Sequence, residues 1–574
     1  MKKSILSASI AAMIGGLGFA GVASANVYFD AAGATGMRVN EAGTGHILLV
    51  PYFTTQGTNA TLLNITNTDT NSGKLVKVRF RGASNSDDIF DFTLLLSPGD
   101  VWAAKVSQGA DGVSRLETSD KSCTLPSTVA TQANAFPTGR LNPALSAADR
   151  ANETREGYVE ILTMANVPKA VLAPAQVVPA GTTVNPLWTA IKHVNGVAPC
   201  TTAVLDRLLT NETSATIDNG AAADPTMISP HGRGYTFPTS GLMANWTIID
   251  TVKTATFSGA AVAVQATGGN GNANSVFFPQ SGDLVPGSVD SVTADPLLRR
   301  TQKWQSSPVT AQLSGFGATN AAAGSTAATA ASTSAQITAS FYDLPDLSTP
   351  YIAANSVPVA PVVTDALPIL QARDLTRVLA TTSVTNEFLT TTAIGATTDW
   401  VFSAPTRRYN VAFNYAYTSP IGGDGRVYTD WNVGAGTLSS NMTTGTDAFN
   451  YYNAANTALS GTRICVNADT GATGVNQWDR EENTTSSSFV ISPGTVTRVR
   501  FCGETSVLAI NNGTNTSSGS LSAALATQNL NFTANEGWLS LGTSGLGGKG
   551  LPVTGGAFVK SSAFGAMWPH RYAR

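Results

Sequence analysis

The sequence predicts a mostly β protein that contains two or more antiparallel β-sandwich (Ig-like) domains with irregular insertions. Three observations support this fold class. Only 12% of the 574 residues are charged, which is about half of the usual share of about 25%. Threonine, valine and aromatic residues are abundant, and such side chains pack well on a pleated sheet. Short apolar or alternating runs are separated by turn residues, as is typical of sandwiches.

The first 25 residues have the pattern of a secretory signal peptide. Two lysines precede an uncharged, mostly apolar stretch over residues 5–21, and a small-x-small pattern ends at Ala25. This order is the one that a signal peptidase accepts. We therefore predict a signal peptide over residues 1–25, cleavage between Ala25 and Asn26, and export. The alternative is a retained membrane anchor, for which the apolar stretch is short.

The first β-sandwich region is predicted over residues 26–314. Within it, three apolar residues alternate with Lys77, Arg79 and Arg81. This period of two predicts a half-buried strand, with one face in a core and the other in water. Further strands of this region are predicted over residues 47–53, 60–65, 89–96, 101–106, 157–164, 242–249 and 257–267.

Two segments interrupt the strand pattern. The chain between residues 107 and 230 has weaker signals and is predicted to be an insertion, with a short helix at 202–209. Residues 315–340 are rich in Ala, Ser and Thr, a composition that predicts a linker or loop. The alternative is a pair of strands that continues the sheet.

The second β-sandwich region is predicted over residues 341–574. Aromatic and valine residues alternate with Asn, Ala and Thr over residues 409–417, and this run predicts a strand. The glycine-rich stretch 422–425 follows as a hairpin turn. Residues 399–402 begin another strand, and residues 488–501 are predicted to form a strand, a turn and a strand.

The four cysteines predict disulfide bonds. Cys123, Cys200, Cys465 and Cys502 form an even set in an exported chain. Sequence alone permits three pairings, of which the sequence-local ones, Cys123–Cys200 and Cys465–Cys502, are favoured. Each bond would close a long loop and stabilise the protein by about 4 kcal/mol in the chain-entropy description. A metal site is disfavoured, because the spacing of Cys and His does not match known ligand sets.

The sequence offers no established catalytic motif. His46, His193, His231 and His570 are scattered, and none of them belongs to the paired-histidine motif of metal hydrolases. The Gly-x-Ser-x-Gly turn of α/β-hydrolases is also absent. We therefore predict a protein that is not an enzyme. The alternative is a site that the fold assembles from distant residues.

Three acidic groups are candidates for binding calcium, which prefers carboxylate and carbonyl oxygens from loops. None of them matches the EF-hand loop. The alternative for each group is a solvated turn. The candidate residues are Asp87, Asp88 and Asp91 in one group, Asp69 in a second, and Asp479, Glu481 and Glu482 in a third.

Residues 551–555 match the Leu-Pro-x-Thr-Gly signal that sortase enzymes recognise in Gram-positive wall proteins. Such a signal needs a following apolar span that can hold in a bilayer. The stretch after it is short and contains Lys560. A chance match is therefore favoured.

Several segments carry a family resemblance. Residues 45–53, 76–82 and 97–102 resemble exported Gram-negative proteins described as cell-surface or surface-layer-like. The stretch from Thr398 to Arg408 is similar to the second half of that group. The resemblance spans most of the predicted mature chain and implies a location at the cell surface. It brings no catalytic residues.

These observations lead to the expected function of a non-enzymatic structural cell-surface protein that self-assembles into a surface layer, sheath or filament. The expected partners are other copies of the chain and outer-membrane or cell-envelope glycans. A net charge of −3 argues against nucleic acid as a partner. One alternative is a secreted adhesin or carbohydrate-binding protein that uses surface aromatics such as Trp431 and Trp478. The other is a secreted enzyme.

Overall fold

The fold is described from a computed structural model of the chain. The described residues are 26–28, 34, 36–139, 141–142, 144–170, 184–205, 234–252, 255–273, 275–277, 310–313, 335–338, 375–413, 426–428, 451–453, 456–467, 475–482, 490–492, 495–496, 499–512, 518–525, 527–532, 534–544, 549–562 and 564–574. Strands account for 54% of these residues and helices for 10%. The predicted mostly β class with several antiparallel sheets is therefore confirmed.

A seven-stranded sheet forms one layer of the N-terminal region. In sheet order its strands are β2 (Gly36–Val39), β14 (Val262–Thr267), β3 (Ile47–Thr54), β11 (Glu156–Pro168), β5 (Ser72–Gly82), β6 (Asp88–Leu96) and β9 (Cys123–Leu125). The longest strand, β11, lies between β3 and β5 and pairs antiparallel with both.

A six-stranded sheet forms the second layer. In sheet order its strands are β10 (Asn134–Ala135), β8 (Ser114–Glu117), β7 (Val101–Gln108), β4 (Asn59–Asn67), β12 (Leu242–Asp250) and β13 (Thr256–Ala260). Apolar residues of both sheets form one core. Phe92 of β6 and Trp102 of β7 illustrate the contact, because their ring centroids are 5.3 Å apart. The two sheets therefore pack as a sandwich.

Two larger sheets and one smaller sheet form most of the C-terminal region. The five-stranded sheet has the order β30 (Thr527–Phe532), β29 (Thr505–Asn512), β20 (Thr397–Ser403), β33 (Thr554–Lys560) and β34 (Gly565–Pro569). The four-stranded sheet has the order β25 (Val475–Asp479), β31 (Glu536–Gly542), β19 (Ser383–Leu389) and β35 (Arg571–Ala573). The three-stranded sheet has the order β23 (Thr457–Ser460), β24 (Arg463–Asn467) and β28 (Arg500–Cys502). The pair β29–β30 is parallel.

The remaining elements are short. Paired strands are β1 (Asn26–Tyr28) with β15 (Ser275–Phe277), β16 (Thr310–Leu313) with β17 (Ala335–Thr338), β18 (Ala380–Thr381) with β32 (Leu551–Pro552), β21 (Val411–Phe413) with β22 (Arg426–Tyr428), and β26 (Val490–Ser492) with β27 (Thr495–Val496). The helices with both ends inside the described residues are α1 (Ala147–Glu153), α2 (Pro186–Ile191), α3 (Thr202–Leu205) and α4 (Arg407–Asn410), with 3₁₀ turns at Ser127–Ala130 and Thr392–Ile394. Residues 375–379 are also helical.

The five-stranded sheet is buried on both faces. Val401 and Phe558 lie in the core of the N-terminal sandwich, whereas their neighbours Trp400 and Ala557 lie in the C-terminal core. Successive residues of a strand point to opposite faces. The sheet therefore separates two cores and belongs to both. Continuous burial along β33 is the expected consequence of this position.

Aromatic contacts join the two regions on the N-terminal side of this sheet. The ring of Phe558 lies 6.1 Å from Tyr52, 5.7 Å from Trp246 and 5.4 Å from Phe257, measured between centroids. Each of the four side chains is at most 1% exposed. The N-terminal and C-terminal regions thus share apolar packing rather than meeting only at a polar surface.

Two buried carboxylates fasten residues 518–525 between the regions. Asp399 Oδ2 accepts hydrogen bonds from Ser518 Oγ at 2.5 Å and from Leu521 N at 2.8 Å. Glu156 Oε1 accepts from the backbone N–H groups of Ala524 and Leu525 at 2.7 and 3.1 Å. Burial raises the pKa of Glu156 to about 7 and that of Asp399 to about 6, although the hydrogen bonds oppose both shifts.

The strand β5 differs from the prediction that one of its faces lies in water. Lys77, Arg79 and Arg81 are fully buried. Their charges are accommodated by carboxylates on neighbouring strands, as described below. A period of two therefore located the strand correctly, but charged residues on one face did not mean that this face was exposed.

The other sequence predictions have mixed outcomes. The predicted strand over 409–417 begins only at Val411, because residues 407–410 form α4. The hairpin prediction is supported where Val411–Phe413 pairs antiparallel with Arg426–Tyr428. The turn at 422–425 itself, most of the segment 315–340 and the signal-peptide residues up to Ala25 lie outside the described residues. Residues 335–338 pair with 310–313, as the strand-pair alternative predicts.

Candidate functional site

The first group of calcium candidates is buried among basic side chains. Asp91 Oδ1 lies 2.7 Å from Lys77 Nζ, and Asp88 Oδ2 lies 3.8 Å from Arg79 Nε and 3.9 Å from Arg81 Nη1. On the next strand, Glu160 Oε2 lies 3.1 Å from Arg81 Nε. Asp87 is also buried. Lysine and arginine thus occupy the position beside these carboxylates that a cation would take.

Burial affects the charge of this group. It lowers the pKa of Lys77, while the nearby Asp91 carboxylate opposes that shift. A buried charge is tolerated only when it is paired and hydrogen-bonded. The arrangement therefore suits a structural ion-pair network on β5, β6 and β11 rather than an open coordination site.

The second candidate, Asp69, closes a turn. Its Oδ1 accepts hydrogen bonds from the N–H groups of Asn71 and Ser72 at 2.9 and 3.0 Å. Its Oδ2 lies 3.5 Å from Lys74 Nζ. Partial burial would raise the pKa of Asp69, but these N–H groups and the Lys74 ammonium together hold it below its usual value. The turn alternative describes this residue well.

The third group also lies at a turn. Asp479 ends β25, and its Oδ1 accepts a hydrogen bond from Glu481 N at 2.9 Å. Glu481 and Glu482 are exposed. Within the described part of the chain, no set of three or more His, Cys, Asp or Glu side chains has the arrangement of a metal site. Calcium binding remains a sequence-based prediction.

Both favoured disulfides are present. Cys123 is bonded to Cys200 across 77 residues, and Cys465 is bonded to Cys502 across 37 residues. The first bond ties strand β9 to the segment between α2 and α3, and the second links the paired strands β24 and β28. Two disulfides indicate that the protein occupies an oxidising, non-cytoplasmic compartment.

Ser97, His193 and Asp100 lie together within the described residues. His193 Nδ1 lies 3.3 Å from Ser97 Oγ and 3.4 Å from Asp100 Oδ2. In a catalytic triad the serine and the aspartate contact opposite ring nitrogens, so that the imidazole can pass a proton. Here both contacts converge on Nδ1, and Ser97 is buried. This cluster therefore lacks the geometry of an activated serine.

Two other histidines are held neutral in the interior. His570 Nε2 lies 3.1 Å from the Val401 carbonyl oxygen, and its Nδ1 lies 3.0 Å from Asn386 Nδ2. The Asn386 amide cannot turn round, because its Nδ2 also donates to the Trp568 carbonyl and its Oδ1 accepts from Glu387 N. Nδ1 of His570 must therefore accept and Nε2 must donate. Burial lowers the pKa of His570 to about 3.

His46 has the same pattern in the N-terminal region. Its Nδ1 accepts from Ala266 N at 3.1 Å, and its Nε2 lies 3.2 Å from the Pro238 carbonyl oxygen. Burial, reinforced by the positive charge of Lys74, lowers the pKa of His46 to about 4. Both histidines are thus structural hydrogen-bonding groups. His231 lies outside the described residues.

The surface aromatic site involves a residue that sequence reasoning missed. Trp478 of β25 lies directly opposite Trp538 of β31. The two indoles are stacked, with centroids 3.8 Å apart and planes 9° apart. Trp538 is 38% exposed. We call Trp478 and Trp538 the indole pair. Trp431, the other aromatic candidate, lies outside the described residues.

The sortase-like motif lies in the core. Thr554, the residue that sortase would link, begins β33 and is fully buried, as is Val553. This burial agrees with a chance match. Among the described helices, none combines the length and the hydropathy that spanning a membrane requires.

The chain was compared with models of protein families, with curated proteins and with solved structures, and none of the three comparisons finds a match.

Proposed function

We propose that this protein is a non-enzymatic structural component of the cell surface that is exported and associates with copies of itself into a layer, sheath or filament. Two disulfides and a core that continues through both regions support a rigid building block. The buried charged groups Lys77, Arg81 and Glu156 take part in ion pairs and hydrogen bonds inside the fold, as is typical of structural residues.

An exposed apolar patch carries the self-association proposal. Val252, Ile394 and Phe564 are 70%, 44% and 51% exposed. They lie on three turns where the N-terminal and C-terminal regions meet, and we call them the junction patch. Exposed apolar side chains that cluster mark interaction surfaces more often than single ones do.

Hydrogen bonds and an ion pair bring these turns together. The Ile394 carbonyl accepts from Ser562 N at 3.3 Å, two residues before Phe564. Lys560 Nζ lies 2.8 Å from Asp250 Oδ2, two residues before Val252. These bonds hold the three connections next to one another, so another copy could cover the exposed apolar side chains of the junction patch together.

Sedimentation velocity and electron microscopy of the mature protein test self-association. We expect concentration-dependent assembly that weakens at least about tenfold when Val252, Ile394 and Phe564 are all changed to serine. The matched control changes Val101, Val194 and Val197 to serine, since these valines are 51%, 62% and 50% exposed but do not belong to the patch. A wild-type protein that stays monomeric, or equal losses in both variants, would contradict the proposal.

Export is tested separately. Protein recovered from the surface of intact cells should begin at Asn26, which N-terminal mass spectrometry can determine. Recovery of the chain only from the cytoplasm, with its first 25 residues retained, would refute export without bearing on the patch.

A further inference from the structure

The outer face of the four-stranded sheet carries a second surface with a distinct chemistry. The two indoles stack there face to face. Trp538 is 38% exposed and Trp478 is partly exposed, so part of the pair is accessible to a ligand. Neither indole N–H donates a hydrogen bond to a described residue. From this arrangement we propose that the indole pair is a binding platform for a neutral saccharide built of pyranose rings.

The close approach of β25 to β31 builds the platform. Gly537 precedes Trp538 and lies opposite Asp479. A Cβ atom at position 537 would lie 2.0 Å from the Trp478 carbonyl oxygen, a distance that no side chain tolerates. Glycine at this position therefore lets β25 pair as the outermost strand of this sheet and places Trp478 over Trp538.

Polar side chains border the indoles on the same face. Glu387 lies opposite Trp538 on its other side, and it is exposed. The next row lies two residues along the strands, and side chains spaced by two share a face. This row contains Asn476, Ser540, Thr385 and Arg571, each opposite its neighbour in the register.

A pyranose ring matches this surface because it is itself amphipathic. Its C–H bonds point from the two faces of the ring and can pack on a flat indole, where many weak contacts add up. Its hydroxyl groups point outward from the rim, where hydroxyl, amide and charged side chains can replace the water that they lose. Ser540 and Thr385 provide groups that both donate and accept.

Other ligands fit this surface less well. An apolar peptide segment would cover Glu387 and Arg571 without offering them hydrogen bonds, and burying unpaired charges is unfavourable. An anionic sugar would place its negative charge near Glu387, the residue that flanks Trp538. A neutral oligosaccharide avoids both penalties.

Calorimetric titration of the mature protein with cellohexaose, chitohexaose and mannohexaose tests the proposal. We expect at least one of these probes to bind more tightly than about 10 mM. Trp538→Ala should weaken that binding by about tenfold or more, as truncation of an aromatic anchor does, whereas Trp538→Phe should retain part of it. Val101→Ala is the matched control, because it truncates an apolar side chain that is 51% exposed and lies outside both the indole pair and the junction patch.

A second variant keeps the test independent of the indoles. Ser540→Tyr leaves both tryptophans in place but fills the adjacent row, so it should also abolish binding while the melting temperature stays unchanged. Failure of all three probes to bind, or an equal loss in Val101→Ala, would overturn the proposal. Since the indole variants and the control leave the junction patch intact, loss of self-association and loss of saccharide binding are separable outcomes.

Discussion

Truncation of Phe558 tests whether the N-terminal and C-terminal regions unfold as one body. Phe558 belongs to the C-terminal five-stranded sheet, but its ring lies against Tyr52, Trp246 and Phe257 of the N-terminal region. Phe558→Ala removes this ring and leaves the backbone pairing of β33 in place. The loss of packing should therefore lower the free energy of unfolding of both regions.

The expected magnitude follows from burial. Phe558 is fully buried, and truncation of a buried phenylalanine to alanine reduces the free energy of unfolding by about 3–5 kcal/mol. Three aromatic neighbours place the effect toward the upper end of that range, because each aromatic pair adds about 0.5–1.5 kcal/mol beyond the buried area. We expect a loss of about 4–5 kcal/mol.

Urea denaturation measures this loss when it is followed by two probes. Far-UV circular dichroism reports on the sheets of both regions, and pulsed proteolysis with mass spectrometry separates N-terminal from C-terminal peptides. For one cooperative body, the midpoints of the two sets of peptides should shift together. Phe564→Ala, whose ring is 51% exposed, should change the free energy of unfolding by less than about 0.5 kcal/mol.

Two results would contradict a single cooperative body. One is a loss smaller than about 1 kcal/mol, which would mean that the aromatic contacts contribute little. The other is a shift in the C-terminal peptides while the N-terminal peptides keep the wild-type midpoint. In that case the two regions would unfold independently despite their contact.

Three further predictions concern buried charges and disulfides. Between pH 7 and pH 5 the free energy of unfolding of the wild type should fall by about 2 kcal/mol more than that of His570→Gln. The reason is that His570 takes up a proton below about pH 6.5 in the unfolded state, whereas its pKa in the folded state is about 3. Equal decreases for both proteins in urea denaturation would contradict this. As the pH rises from 4.5 to 7, the free energy of unfolding of the wild type should fall by up to about 3 kcal/mol, because folded Glu156 keeps a proton that the unfolded chain releases. Glu156→Gln should lack this decrease. The same pH dependence of unfolding in both proteins would count against the prediction. Changing Cys465 and Cys502 to serine should lower the free energy of unfolding by about 4 kcal/mol, and a reductant should then affect only the remaining bond.

Local patterns in the sequence predicted much of the fold. Alternation and turn residues located strands such as 47–53 and 101–106 within a few residues of their observed bounds. The favoured disulfide pairing is also confirmed, although only Cys465 and Cys502 lie on neighbouring strands. Long-range burial was not predictable in this way. The alternating pattern predicts a solvated face for Lys77, Arg79 and Arg81. Carboxylates that are distant in sequence, such as Glu160, nevertheless allow these side chains to be buried.

The sequence predicted only one of the two tryptophans of the indole pair. Trp478 was noted as a surface aromatic, but its partner lies 60 positions further along the chain, and nothing in the sequence fixes which strand pairs with β25. The signal that could have indicated it is local: Gly537 directly before Trp538 is a small residue within a strand, which often marks a close approach of another backbone. Sheet register then places the two indoles together.

The position of β33 and β34 has a consequence for folding during synthesis. These strands of the shared sheet occupy residues 554–560 and 565–569, which are synthesised after the whole of the N-terminal sandwich. Until β33 pairs with β20, Phe558 cannot cover Tyr52, Trp246 and Phe257. The apolar core of the N-terminal region is therefore closed only after most of the C-terminal region has been made.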